Sequence, residues 1–175
     1  SLLGKRVLVT GGGTIGCMSV IAARMAGAAH IIVCDINDRA LEIARAVGAD
    51  RTIRSDQVAP ERLVDLADVS IEAAGNTAAL GTCLKATRRG GRIMQVGTLP
   101  AEIPFPANNV MSRALDYRGV FRAHLAFHSA VQAIRLRRVD VRPLISAQLP
   151  LSRAQEAFDL ALDRTKSTKV QVVAG

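Results

Sequence analysis

The run Arg6-Val7-Leu8-Val9-Thr10-Gly11-Gly12-Gly13-Thr14-Ile15-Gly16 constrains the fold of this chain more than any other stretch. A short apolar strand enters a G-x-G-x-x-G turn, and a helical pattern opens directly after it. A second apolar run, His30-Ile31-Ile32-Val33-Cys34, ends on Asp35, nineteen residues beyond Gly16. Strand, glycine turn, helix, strand and terminal acid together make the dinucleotide-binding fingerprint, and each part has a physical task. Gly11 permits the tight turn out of the strand. Gly13 has no β-carbon, so a pyrophosphate can approach the backbone, and Gly16 lets the helix pack closely on the sheet. Free amides at the helix start, around Thr14 and Ile15, then face the phosphates with the positive end of the helix dipole behind them. Asp35 is expected to accept hydrogen bonds from an adenine-ribose diol.

The alternation continues along the chain and predicts an α/β fold, a parallel sheet covered on both faces. Strands are expected at Arg6–Thr10, His30–Asp35, Arg51–Arg54, Asp68–Gly75, Arg92–Val96 and Tyr117–Phe121. Helices are expected at Ile15–Ala26, from an N-cap at Asn37 or Asp38 to a stop at Gly48, after Pro60, at Thr77–Ala86 and at Phe127–Arg138. Gly90-Gly91 reads as the turn into the fifth strand. The proline-bearing stretch Leu99–Pro106 fits an edge or interface segment better than a central strand. Two nucleotide-binding halves of this kind make a doubly wound six-stranded sheet. After Asp140 the pattern changes to a strand-helix-strand tail: Leu144–Leu149, a helix reaching Asp163 with Ser152 and Gln155 as its capping box, and Lys169–Val173.

With 49% hydrophobic and 22% charged residues among 175, the chain reads as an ordinary globular domain with a substantial core. No apolar run is long enough for a membrane span, so no membrane association is expected. Ser1, in place of an initiator Met, suggests a trimmed start. Cys17, Cys34 and Cys83 are odd in number and widely spaced, which favours reduced thiols and a cytoplasmic location. The net charge of +8 raises the question of nucleic acid. Its arginines are scattered over several elements, and one Tyr, four Phe and no Trp give no stacking platform, so no nucleic-acid partner is expected. His124 and His128 share an i, i+4 spacing, but Leu125 stands where a zincin needs glutamate, which favours solvated histidines over a metal site.

The chain resembles the zinc-dependent medium-chain alcohol and polyol dehydrogenases, in their sorbitol and L-idonate 5-dehydrogenase branch. The resemblance rests on Val7–Gly16, Ile43–Asp50, Glu72-Ala73-Ala74-Gly75-Asn76, Gln95-Val96-Gly97, Arg118–Arg122, Val141–Ile145 and Ala154–Phe158, in family order. It implies a Rossmann domain over residues 1–145. It also implies that residues 146–175 form a tail packing on a zinc-bearing catalytic domain outside this chain. By this resemblance the whole enzyme moves a hydride from a secondary hydroxyl of a polyol or sugar acid to NAD, while the part seen here binds NAD(H) without turnover. Ala73, Ala74 and Gly75 would lie by the adenosine. Val96, Gly97 and Thr98, with Val120, Phe121 and Arg122, would line the nicotinamide end, and Lys169 would reach the pyrophosphate. The family commonly forms dimers or tetramers, which points to Leu99–Pro106 and Tyr117–Arg122 as the associating edge.

Asp35 favours NAD over NADP because a carboxylate repels a 2′-phosphate. Ile36 and Asn37 add no compensating charge, whereas Arg39 could flank the adenine or reach a 2′-phosphate. A short-chain dehydrogenase would need a Tyr-x-x-x-Lys pair, and the single Tyr117 has Phe121 four residues on. A P-loop is excluded because Cys17-Met18 follows Gly16. Two other readings are a non-catalytic NAD-sensing module and a methyltransferase, which also pairs a glycine turn with an acid at the tip of strand two.

Overall fold

In the structure, a computed structural model describing residues 1–123 and 126–174, six parallel strands form one sheet in the order β3-β2-β1-β4-β5-β6. The strands are β1 (Arg6–Thr10), β2 (His30–Asp35), β3 (Arg51–Arg54), β4 (Ala67–Glu72), β5 (Thr87–Gln95) and β6 (Asp116–Gly119). Connecting them are helices α1 (Thr14–Met25), α2 (Asp38–Ala46), α3 (Thr77–Ala86) and α4 (Ala107–Ser112), with a 3₁₀ turn at Pro60–Leu63. The strand order reverses beside β1, the doubly wound pattern that opens a crevice at the carboxyl ends of the strands.

Period-two alternation in β1 and β2 builds a core on each face. Val7, Val9, Ile31 and Val33 pack with Cys17, Val20 and Ile21 of α1 and Leu41 and Ala44 of α2. Leu8, Ile32 and Cys34 point the other way, onto Ile53, Leu63 and Ala86. Each fully buried aliphatic side chain contributes about 1.5–3 kcal/mol, so residues apolar on both faces specify a central strand. Burial pushes all three cysteine thiols up to about 12, so they stay protonated at neutral pH.

Several boundaries differ from the sequence expectations. The fourth strand stops at Glu72, leaving Ala73–Gly75 as a loop, and the sixth ends at Gly119. Strand β5 starts at Thr87, before the glycine pair. Thr87 already pairs with Ala67, and the register then jumps so that Arg92 pairs with Val69. The left-handed Gly90 (φ +66°) sits within this bulge instead of preceding the strand. Leu99 and Ile103 pack against the α3 cluster without forming a strand, and β6 takes the sheet edge.

Helix α5 (Ala126–Arg135) and a 3₁₀ turn at Arg142–Leu144 lead into the tail: β7 (Ile145–Pro150), α6 (Ala154–Leu162) and β8 (Lys169–Val173). Strands β7 and β8 pair in parallel as a separate two-stranded sheet. The expected capping box is absent. Leu151–Arg153 coils into a 3₁₀ turn, which places Ser152 inside that turn and Arg153 at the helix boundary. Arg153 pairs instead with Glu156, and Gln155 donates to Asp159. His124 lies outside the described residues. Among the described residues no helix is long and apolar enough to cross a membrane.

Candidate functional site

Parallel strands end on the same edge, so the turn at Gly11–Gly16, Asp35, Ala73–Gly75, Val96–Thr98 and Val120–Arg122 all gather there. Backbone contacts join them in sequence. Gly11 N donates to Cys34 O (2.8 Å), Ala73 N to Thr10 O (2.9 Å), Val96 N to Glu72 O (2.9 Å) and Val120 N to Gln95 O (2.8 Å).

The glycine assignments have direct steric causes. Gly11 is left-handed (φ +89°), and a β-carbon there would come within 2.8 Å of the Ala74 backbone. A methyl group at Gly16 would overlap the Gly11 carbonyl oxygen. A β-carbon at Gly13 would meet nothing within 4 Å, so this residue faces the open crevice. The first-turn amides of α1, at Thr14, Ile15 and Gly16, have no helical carbonyl upstream to bond. These are the conditions for an anion held by backbone groups.

Asp35 secures the turn. Its Oδ2 accepts from Gly12 N (2.6 Å) and its Oδ1 from Asn37 N (2.8 Å), while each carboxylate oxygen keeps further accepting capacity for a diol. Asn37 caps α2 by accepting from Arg39 N (2.9 Å) and Ala40 N (3.4 Å). Ile36 is exposed beside Asp35, as an adenine-facing residue would be. The Arg39 Nε is buried and has no hydrogen-bond partner among the described residues.

Val120 and Phe121 stand 41% and 81% exposed, so neither is core. Arg122 adopts a left-handed backbone (φ +56°), with its guanidinium 4.9 Å from the centre of the Phe121 ring. The tail also reaches this edge. Thr14 Oγ1 donates to Thr168 O (2.6 Å), and Asn37 Nδ2 donates to Arg164 O (3.0 Å), which brings the exposed Lys169 beside the glycine turn.

Glu72 carries part of the family resemblance but no site role in the sequence, yet its carboxyl group lies wholly buried at this edge. Its Oε1 accepts from Ala74 N (2.9 Å) and Gly75 N (2.8 Å), and Gln95 Nε2 donates to its Oε2. The available signal was an acid closing an apolar strand, the same pattern that singled out Asp35. Two concavities, of about 390 and 300 Å³, lie away from this edge and share Met25 and Arg138 near the far end of α1.

A doubly wound parallel sheet, reversing beside a glycine turn with an acid at the tip of β2, defines a nucleotide-binding domain of Rossmann type. The zinc-binding dehydrogenase family model matches residues 14–137, and the chain belongs to that family. L-idonate 5-dehydrogenase (NAD(P)(+)) of Escherichia coli K12 is 35% identical over 98% of the chain and 51% of the relative. Sorbitol dehydrogenase of Gallus gallus is 33% identical over 90% and 46%. The solved structure of L-idonate 5-dehydrogenase from Escherichia coli K-12 superposes with a TM-score of 0.92 at 34% identity, covering 98% of this chain and 51% of that one. Alcohol dehydrogenase TADH from Thermus sp. ATN1 gives 0.90 at 30% identity, covering 100% and 54%. The chain thus spans about half the length of the curated relatives it matches. Family membership leaves the methyltransferase reading without support.

Proposed function

We propose that this chain is the cofactor-holding part of an NAD-dependent oxidoreductase acting on a secondary hydroxyl of a polyol or sugar acid. The observation carrying this reading is the turn itself: open space at Gly13, forbidden space at Gly11 and Gly16, and Asp35 bonded across the turn to Gly12. Such a cradle admits a pyrophosphate against backbone amides and presents a carboxylate to the adjoining ribose. When bound, NAD supplies the hydride acceptor. The chain's own work is to bind and orient: Thr14, Ile15 and Gly16 offer amides, Lys169 offers charge to the pyrophosphate, and Ala73–Gly75 flank the adenosine. Val96–Thr98 and Val120–Arg122 line the nicotinamide end. Among the described residues no three His, Cys, Asp or Glu side chains converge, so this set does not fit the family's zinc. We assign the zinc to the remaining half of the relatives' length.

The L-idonate 5-dehydrogenase and sorbitol dehydrogenase relatives support the polyol or sugar-acid substrate class. We place the Rossmann domain at residues 1–145 and read residues 146–175 as a tail covered by the catalytic half. We place dimer or tetramer association at Leu99–Pro106 and Tyr117–Arg122, a reading that the exposed Phe121 supports, and the protein in the cytoplasm. Asp35 selects NAD over NADP, and Arg39 is the residue through which a 2′-phosphate would compete.

Full-length protein should reduce NAD with L-idonate or sorbitol, while residues 1–175 alone bind NADH without turnover. NADP binding tighter than NAD would refute the Asp35 assignment. NADH binding without turnover of any polyol or sugar acid by the full-length protein would favour the NAD-sensing reading instead.

A further inference from the structure

We propose that Glu72 is a positioning residue that ties the three loops of the cofactor crevice into one unit. This role deepens the nucleotide-site reading and rests on it. One side-chain oxygen takes the amides of Ala74 and Gly75, and the other takes the Gln95 side-chain amide. The Glu72 main-chain carbonyl accepts from Val96 N (2.9 Å) and Gly97 N (2.8 Å). Gln95 passes the connection on. Its Nε2 also donates to Gly97 O (2.7 Å), and its Oε1 accepts from Tyr117 Oη (3.0 Å) on β6, the strand that leads to Val120–Arg122.

Close packing shows how little freedom remains. A β-carbon at Gly97 would come within 2.5 Å of the Glu72 carboxyl, and one at left-handed Gly75 within 2.7 Å of Thr98 O. Burial, with Glu72 and Cys83 nearby, pushes the Tyr117 phenol up, so its hydroxyl remains a donor at neutral pH. All three of the groups that meet the Glu72 carboxyl are donors. A Gln at this position would set one amide NH₂ against another. Gln95 would then flip and Gly97 O would lose its donor, which loosens the link between the 73–75 and 96–98 loops while the main-chain bonds from Val96 and Gly97 remain.

The test is NADH titration of the full-length protein by fluorescence, with binding-site number, Kd and bound-state emission read separately, beside a thermal melt. Glu72→Gln should raise Kd for NADH about tenfold, through loss of hydrogen bonds to a buried carboxyl group, and shift the bound emission. Tyr117→Phe should raise Kd about threefold, and it decides the matter if Glu72→Gln does not fold. A purely structural residue would lower the melting temperature and the number of sites, while the remaining sites kept wild-type Kd and emission. That pattern, in whichever variant folds, overturns the proposal. Wild-type protein that fails to bind NADH overturns the nucleotide-site reading and this role with it. Wild-type binding with unchanged Kd in the variants overturns this role alone.

Discussion

The glycine-turn half of the sheet and the C-terminal tail use similar apolar residues to opposite ends. Across β1 and β2, Val7, Leu8, Val9, Ile31, Ile32 and Val33 are buried by helices of this same chain. In the tail, Leu151, Phe158 and Leu162 stand 68%, 66% and 81% exposed. Local pattern explains both sets of elements equally well, since amphipathic spacing makes α6 a helix as surely as it makes α2 one. The difference lies in what covers the apolar face. The first region closes on itself, whereas the tail leaves Leu151, Phe158 and Leu162 uncovered by the described residues. The two regions still touch at the functional edge, where Thr14 and Asn37 hold the 164–168 turn.

Substitutions should separate these regions sharply. Gly16→Ala forces a methyl group onto the Gly11 carbonyl oxygen and should cost on the order of 4 kcal/mol or prevent folding, measured by urea unfolding. Leu8→Ala leaves a cavity in a wholly buried position and should cost about 3 kcal/mol in the same assay. Asn37→Ala removes a two-amide cap and the link to Arg164, for about 1 kcal/mol. Leu162→Ser, on the open face of α6, should change the stability of residues 1–175 by no more than about 0.5 kcal/mol. A cost there as large as at Leu8 would break the contrast.

Acid should act on the tail by a local route. Asp163 accepts from the Thr165 amide and hydroxyl and pairs with Lys166, which holds its carboxyl at about 2, below the ordinary 3.8. Because the folded value is the lower one, this support is complete above about pH 4 and is lost as pH falls through 2. A carboxyl NMR titration should place the Asp163 midpoint near 2. A midpoint near 3.8 would show that the 163–168 turn is not held as described.

Much of this was legible in the sequence because it depends on short-range rules. Six strands in doubly wound order follow from alternating periodicity, and the Asn37 cap and the left-handed Gly11 from local backbone chemistry. The Ser152 cap failed because a 3₁₀ turn at Leu151–Arg153 shifted the helix start, a choice that side-chain type does not decide. Glu72 was missed for a different reason. Its partner Gln95, and Tyr117 that donates to Gln95 in turn, lie on two other strands, and only the parallel register brings them together. The docking of Thr168 on Thr14 is likewise a long-range contact with no local signature.

The central claim is that the Gly11–Gly16 turn and Asp35 hold a nicotinamide dinucleotide. Calorimetric titration of residues 1–175 with NADH, and in parallel with S-adenosylmethionine, tests it most directly. One NADH should bind per chain, with no heat from the methyl donor. Binding of S-adenosylmethionine alone, or of neither compound, would contradict the account.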